Sequence, residues 1–235
     1  MDNQDVVYTK ENGIATITLN RPDKMNALIP GIVDGIYQAL EEALKDDEVR
    51  VLVITGTGRA FCAGADVTNM VANASQPSGE KSERVTTSTR NQIALPLQKC
   101  DKPIIASING IAVGAGLDIA LACDIRIASD RAQFSEIYIR RGLVPFGGGT
   151  FFLPRLVGID RACQLIFTGD MIDAKEAERI GLVTMVAPHE ELESVTRELA
   201  EKLSKAAPLA LQKAKRAIYD GLGMDLESTL KHVDA

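Results

Sequence analysis

The sequence contains no tryptophan, only two histidines and only four cysteines. Each scarcity removes a class of chemistry. His189 and His232 both lie late in the chain, so a Ser-His-Asp or Cys-His apparatus, or a histidine-rich metal site, has just these two rings to draw on. Cys62, Cys100, Cys123 and Cys163 are widely scattered, with neither a CxxC pair nor the spacing of a zinc site. They read as buried free thiols, and no metal is expected. No stretch nears the roughly 20 uninterrupted apolar residues of a membrane span. The start, Met1-Asp2-Asn3-Gln4-Asp5, lacks the basic-then-apolar pattern of a secretory signal. The chain therefore reads as cytoplasmic, with no membrane partner. Also missing is any long basic run interleaved with aromatics, and the net charge is −6. Nucleic acid is not an expected partner, because neutralising phosphates needs clustered Lys and Arg. An anionic small molecule stays open, since helix N-termini and a few local cations suffice to hold one.

What is present is an ordinary globular balance over 235 residues, 46% hydrophobic and 25% charged, enough to bury a sizeable core. Ile14 to Leu19 alternates threonine with apolar residues, as a half-buried strand does. Ile32, Val33, Ile36, Leu40, Ala43 and Leu44 recur at helical spacing. Val49 to Thr55 and Ile104 to Ile108 are short, nearly continuous apolar runs of the kind buried on both faces of a parallel sheet, and Ile125 to Ala128 is a further strand. This strand-helix-strand rhythm argues for an α/β domain. From Thr150 onward the signals turn helical: Phe152 to Val157, Arg161 to Phe167, Ala174 to Ile180, Glu190 to Ala206, and Pro208 to Tyr219 with proline in its first turn. The expected division is an α/β core over residues 1–160 and a helical subdomain over 161–235. No internal repeat is visible. Asn69 to Arg90 is polar and aperiodic, and reads as a mobile loop with partial helix that covers a site.

Two glycine-rich strand-to-helix junctions stand out: Arg59-Ala60-Phe61-Cys62-Ala63-Gly64-Ala65-Asp66, and Asn109-Gly110-Ile111-Ala112-Val113-Gly114-Ala115-Gly116-Leu117-Asp118. Small residues there let a ligand approach the backbone, and the following helix offers unpaired N–H groups. Neither fits a P-loop or a dinucleotide fingerprint. Taken alone, such junctions serve packing as readily as binding.

Together with Leu19-Asn20-Arg21-Pro22, Asn26-Ala27-Leu28, Lys102-Pro103-Ile104-Ile105-Ala106, Arg141-Gly142-Leu143-Val144-Pro145 and Gly169-Asp170 through Ala177–Val183, they resemble the enoyl-CoA hydratase/isomerase, or crotonase, family. The resemblance runs from about residue 8 to residue 230. It implies an α/β fold with a crotonase-like (ββα) spiral core and a helical C-terminal subdomain that forms homotrimers or homohexamers. It implies an enzyme of fatty acid metabolism acting on an acyl-CoA, with coenzyme A as part of the substrate and no separate cofactor. The family holds the thioester carbonyl between two backbone N–H groups, an oxyanion hole whose positions here are Ala65 and Ala115. Such donors suit a reaction that builds negative charge on that oxygen. Lys24, Ala27, Leu28, Ala63, Asp66, Val67 and Gly114 fall where the family contacts CoA and its thioester arm, with Arg21 or Lys24 placed to meet a phosphate.

The acid–base positions depart from the family pattern. Its hydratases use two glutamates, and those positions here hold Asp118 and Tyr138. Asp118 lies one helical turn after Ala115, on the same side. Tyrosine titrates near pH 10 and donates a proton more readily than it accepts one. The further acid of the dienoyl-CoA isomerases, and the nucleophilic aspartate of the dehalogenases, would both fall at Phe146. Glu136 is the nearest remaining carboxylate, and shares a face with Tyr138 only if that segment stays a strand. Hydration of a 2-enoyl-CoA is the leading expectation. Double-bond isomerisation, another enolate reaction such as C–C cleavage or thioester hydrolysis with Tyr138 as proton donor, and plain acyl-CoA binding are the alternatives.

Overall fold

A computed structural model describes residues 4–66 and 93–233. The alternating segment is strand β2 (Ile14–Leu19), which buries Ala15, Ile17 and Leu19 and pairs antiparallel with β1 (Val6–Glu11). The apolar runs become β3 (Val51–Gly56), β5 (Ile104–Ile108) and β7 (Ile125–Ser129). With β10 (Met185–Ala187) they make a six-stranded sheet in the order β1-β2-β3-β5-β7-β10, parallel throughout except for the first hairpin. A second sheet holds four short strands, β4 (Ala60–Cys62), β6 (Ile111–Val113), β8 (Gln133–Ser135) and β9 (Ile172–Asp173), in the order β4-β6-β8-β9. Three times the chain runs through a strand of the large sheet, turns tightly, and adds a short strand to the small one: β3 to β4, β5 to β6, β7 to β8.

The continuous apolar runs have the predicted cause. Leu52 and Ile54 of β3 face one core with Ile17, Leu19, Ile104 and the buried side of helix α1 (Pro30–Lys45). Val51 and Val53 face the other side, with Ile105, Ile127, Leu192 and Ala200. Both faces are covered, so alternation would cost buried apolar area. After the short α2 (Ala94–Lys99), α3 (Ala115–Ala122) follows β6 and is buried over nearly its whole length.

The helices expected after residue 150 form as α4 (Gly149–Val157), α5 (Ile159–Thr168), α6 (Ala174–Arg179), α7 (Leu192–Ser204) and α8 (Pro208–Gly221). A further helix, α9 (Leu226–Val233), was not apparent in the sequence. Its Leu226 and Leu230, one turn apart, are exposed, so it has no core of its own to cover. Helix α8 is tied down by charge: Lys215 Nζ meets Asp124 Oδ2 at 2.7 Å and the Lys102 carbonyl at 3.1 Å, and Tyr219 donates to Asp124 Oδ1 at 2.8 Å. Among the described residues, no helix is long and apolar enough to cross a membrane. The Asn69–Arg90 loop and Val67 lie outside the described residues.

Candidate active site

Asn26 begins the site. Its side chain is wholly buried, accepts from the Arg21 N–H at 2.8 Å, and donates to the carbonyls of Ala60 at 2.8 Å and Thr57 at 3.0 Å. These bonds fasten the turn through Pro22–Leu28 onto β4. The Ala63 N–H donates to Met25 at 3.0 Å, the Leu28 N–H to Gly64 at 2.8 Å, and the Asp66 N–H to Leu28 at 3.1 Å. The intervening Ala65 N–H has no backbone acceptor among the described residues, and Ala65 is exposed.

The second junction presents its own amide. Gly114 donates to the Ser135 carbonyl at 2.8 Å and caps α3, leaving Ala115 as the first helical residue. A first-position N–H has no partner inside its helix. The two junctions pack backbone against backbone. A β-carbon on Gly116 would stand 2.1 Å from the Cys62 carbonyl. One on Gly64, where φ is +83°, would stand 2.6 Å from the Val113 carbonyl and 3.4 Å from the Ala115 nitrogen. Glycine is thus required at both, and the two unpartnered amides belong to touching turns.

The expected CoA contacts gather on the same side. Ala27, Leu28, Ala63 and Asp66 share the Leu28–Ala65 bridge region, and Lys24 is exposed at the end of the 3-10 turn Pro22–Lys24. Arg21 is engaged within the protein, bonding Asp66 Oδ2 at 2.8 Å and the Ala27 carbonyl at 3.2 Å. It braces this turn.

Asp118, in the first turn of α3, is buried, and the Tyr138 hydroxyl donates to its Oδ2. The Tyr138 ring lies beside Gly114 and meets Phe146 edge-on, with ring centroids 5.2 Å apart. The condition placed on Glu136 needs correction. Strand β8 stops at Ser135, and the chain enters a 3-10 turn over Ile137–Arg141. Glu136 and Tyr138 nevertheless both turn inward, because the bend at Glu136 (φ −87°, ψ 60°) replaces strand alternation in aiming them. A β-carbon on Gly149 would stand 2.7 Å from Asp118 Oδ1 and 2.7 Å from Glu136 Oε1. Among the described residues, Asp118 Oδ1 and both Glu136 carboxyl oxygens are buried with no hydrogen-bond partner.

Burial raises the pKa of all three groups. Asp118 is pushed up to about 6, held from rising further by the Tyr138 hydroxyl and the backbone of Gly147 and Gly149. Glu136 is pushed up to about 9, by burial first and the Asp118 charge second. Tyr138 is pushed far above the ordinary phenol range by burial and Asp118, so it remains a donor. One ionised and one protonated carboxyl side by side form a base and an acid at neutral pH. The Gly147-Gly148-Gly149 run is the sequence signal for this space.

His189 Nδ1 lies 2.9 Å from Ser129 Oγ, but Ser129 is wholly buried and offers no nucleophile. The four cysteines are free, and burial pushes the Cys62 and Cys123 thiols up to about 12. Among the described residues, no three His, Cys, Asp or Glu side chains converge on a metal-sized site.

Comparison with known proteins adds three findings. Residues 9–234 match the family model described as enoyl-CoA hydratase/isomerase. The chain is 38% identical to the short-chain-enoyl-CoA hydratase of Clostridium acetobutylicum over 231 residues, covering 98% of this chain and 87% of that one. Among solved structures, an enoyl-CoA hydratase subunit from Geobacillus kaustophilus superposes with a TM-score of 0.90 at 34% identity, covering 98% of this chain and 87% of that one. A monofunctional enoyl-CoA isomerase from M. smegmatis gives 0.81 at 32%, covering 97% and 98%.

Proposed function

The chain belongs to the enoyl-CoA hydratase/isomerase family, and we propose that it hydrates a 2-enoyl-CoA through an enolate held by the N–H groups of Ala65 and Ala115. The observation that carries this reading is the meeting of two unpartnered amides on touching glycine turns, one of them a single helical turn from a buried carboxylate. Adding water at the β-carbon of the thioester moves electrons onto the carbonyl oxygen. Two fixed donors at that oxygen lower the barrier, each by about 10²–10³ in rate. They remain whatever side chain stands at either position, so alanine serves where glycine is commoner. Asp118, ionised near neutrality, takes a proton from the water. Lys24 and the Ala27–Leu28 and Ala63–Asp66 segments receive the CoA arm. The protein is cytoplasmic in this reading. It assembles into trimers or hexamers through exposed apolar residues of α8 and α9, among them Leu209, Ile218 and Leu226.

A double-bond isomerase is the second reading. It needs only one base to carry a proton between two carbons, and Asp118 Oδ1, on the helix that bears Ala115, is a buried side-chain oxygen with no partner among the described residues. The test is incubation with saturated and unsaturated acyl-CoAs in heavy water, followed by NMR. Hydration or isomerisation accompanied by α-proton exchange is expected. Binding without exchange or turnover would leave only an acyl-CoA-binding protein.

A further inference from the structure

We infer that Glu136 is the second acid–base group of this site, exchanging a proton with the α-carbon of the thioester while Asp118 exchanges one with the water. This rests on the hydratase reading and assigns the group which that reading lacks, since Tyr138 occupies the family's second carboxylate position.

The argument starts from accommodation. Glu136 is 1% exposed and neither of its carboxyl oxygens has a partner. A buried carboxyl with no hydrogen bond is costly, and a structural role would show itself as bonds that this side chain does not make. Its Oε1 instead packs beside Gly149 at the same point as Oδ1 of Asp118, each 2.7 Å from where a β-carbon on that glycine would stand, so the two carboxyls converge. Among the described residues, the ionisable groups around it are Asp118 on α3, Tyr138 on the adjoining turn and, beyond the tyrosine, Cys62 on β4; none of these is a cation. Two carboxyls so placed resist ionising together, and one proton stays with the pair at neutral pH. Burial and the Asp118 charge put that proton on Glu136.

The proton ledger then closes. Water oxygen bonds to the β-carbon, and its proton passes to the Asp118 carboxylate. The π electrons move to the α-carbon by way of the enolate, and the α-carbon takes the Glu136 proton. Product leaves with one water added across the double bond, and the proton on Asp118 returns to Glu136 through solvent. Nothing is oxidised or reduced. Tyr138 is a positioning residue here, holding Oδ2 of Asp118 so that Oδ1 faces the water.

The role is separable by experiment because each carboxyl handles a different proton. Butyryl-CoA in heavy water above pH 9, where Glu136 is ionised, reports α-proton exchange; crotonyl-CoA and 2-decenoyl-CoA at neutral pH report hydration. We expect Glu136→Gln to lose both exchange and hydration by 10²-fold or more, and Glu136→Asp to recover part of each. Asp118→Asn is expected to lose hydration yet keep exchange within about tenfold of wild type. Glu136→Gln melts no lower than wild type at pH 8, since it removes an acid whose proton only the folded state favours. If Glu136→Gln exchanges and hydrates normally, or if Asp118→Asn alone abolishes exchange, the assignment of Glu136 is overturned while the enolate reading stands. A wild-type protein that binds these thioesters without exchange or turnover overturns both.

Discussion

Asp118 Oδ1 and Glu136 Oε1 approach one point from two elements, each 2.7 Å from where a β-carbon on Gly149 would be. Asp118 comes from α3, Glu136 from the end of β8, and the glycine opens α4. The arrangement predicts a severe effect from the smallest possible substitution. Gly149→Ala adds one methyl at a first helical position, where alanine is otherwise favourable. That methyl cannot fit without displacing a carboxyl. A shift of about 1 Å costs roughly 10²-fold in rate. We expect kcat for 2-enoyl-CoA hydration to fall by about that factor with KM little changed. Steady-state kinetics on crotonyl-CoA checks it, and an alanine variant with normal kcat would show that the space beside Gly149 is not used.

The Tyr138 hydroxyl lowers the pKa of the Asp118 carboxyl against the upward push of burial. Activity therefore rises with pH as Asp118 loses its proton near 6, and falls again as Glu136 loses its proton near 9. Tyr138→Phe removes the one side-chain donor to Asp118 among the described residues, so its acid limb moves upward. The alkaline limb, set by burial and by Asp118, stays in place. A loss of about fivefold in kcat/KM at pH 6, nearing tenfold at lower pH and shrinking towards pH 8, corresponds to a shift of about one unit. A pH–rate profile decides this; a uniform loss across pH would mean that the hydroxyl does something other than tune Asp118.

The long strands, α1 and the helices after residue 150 were legible because burial on one or two faces writes a period into the sequence. The short strands β4, β6, β8 and β9 were not: two or three residues carry no period. The threefold strand–turn–strand plan writes no such period, its repeating part being mostly turn, and was expected only through the family resemblance to a (ββα) spiral core. Within the site, the glycine junctions and the family resemblance drew attention to Ala65, Ala115 and Asp118, because small residues at strand-to-helix turns are visible in the sequence. The inward direction of Glu136 was tied to a strand that ends at Ser135; it depends on the bend there, and dihedral angles at a single residue leave little trace in composition. The glycine run at 147–149 marks the space but does not say which carboxyls border it.

The Ala115 amide offers a test without touching any acid–base group. It is the first residue of α3, where proline is accepted because its missing N–H would bond nothing in the helix. Ala115→Pro therefore deletes one donor at a position the fold tolerates. The melting temperature should stay within a few degrees, while kcat for hydration and α-proton exchange both fall by about 10²–10³. Thermal melts alongside NMR exchange separate the two effects. Unchanged exchange in a folded variant would remove Ala115 from the oxyanion site.

Behind the site, α3 ends at Cys123, and the next residue, Asp124, anchors α8 through Lys215 and Tyr219. The Lys215 side chain is 7% exposed and that of Asp124 is 17% exposed, so the pair is largely out of water. Replacing one member of such a pair leaves the other charge buried, at a cost of about 3 kcal/mol. Asp124 keeps bonds from the Ile104 N–H at 2.7 Å and from Tyr219, which soften but do not remove the loss. For a chain of this size, Lys215→Met should lower the melting temperature by roughly 6–12 °C. Asp124→Asn combined with Lys215→Met should cost less than the two single changes added together, because the double variant strands no charge. Calorimetry or circular dichroism on the four proteins of this cycle measures the coupling. Simple additivity would mean that α8 is held by packing alone and that Asp124 serves only to cap the turn between α3 and β7.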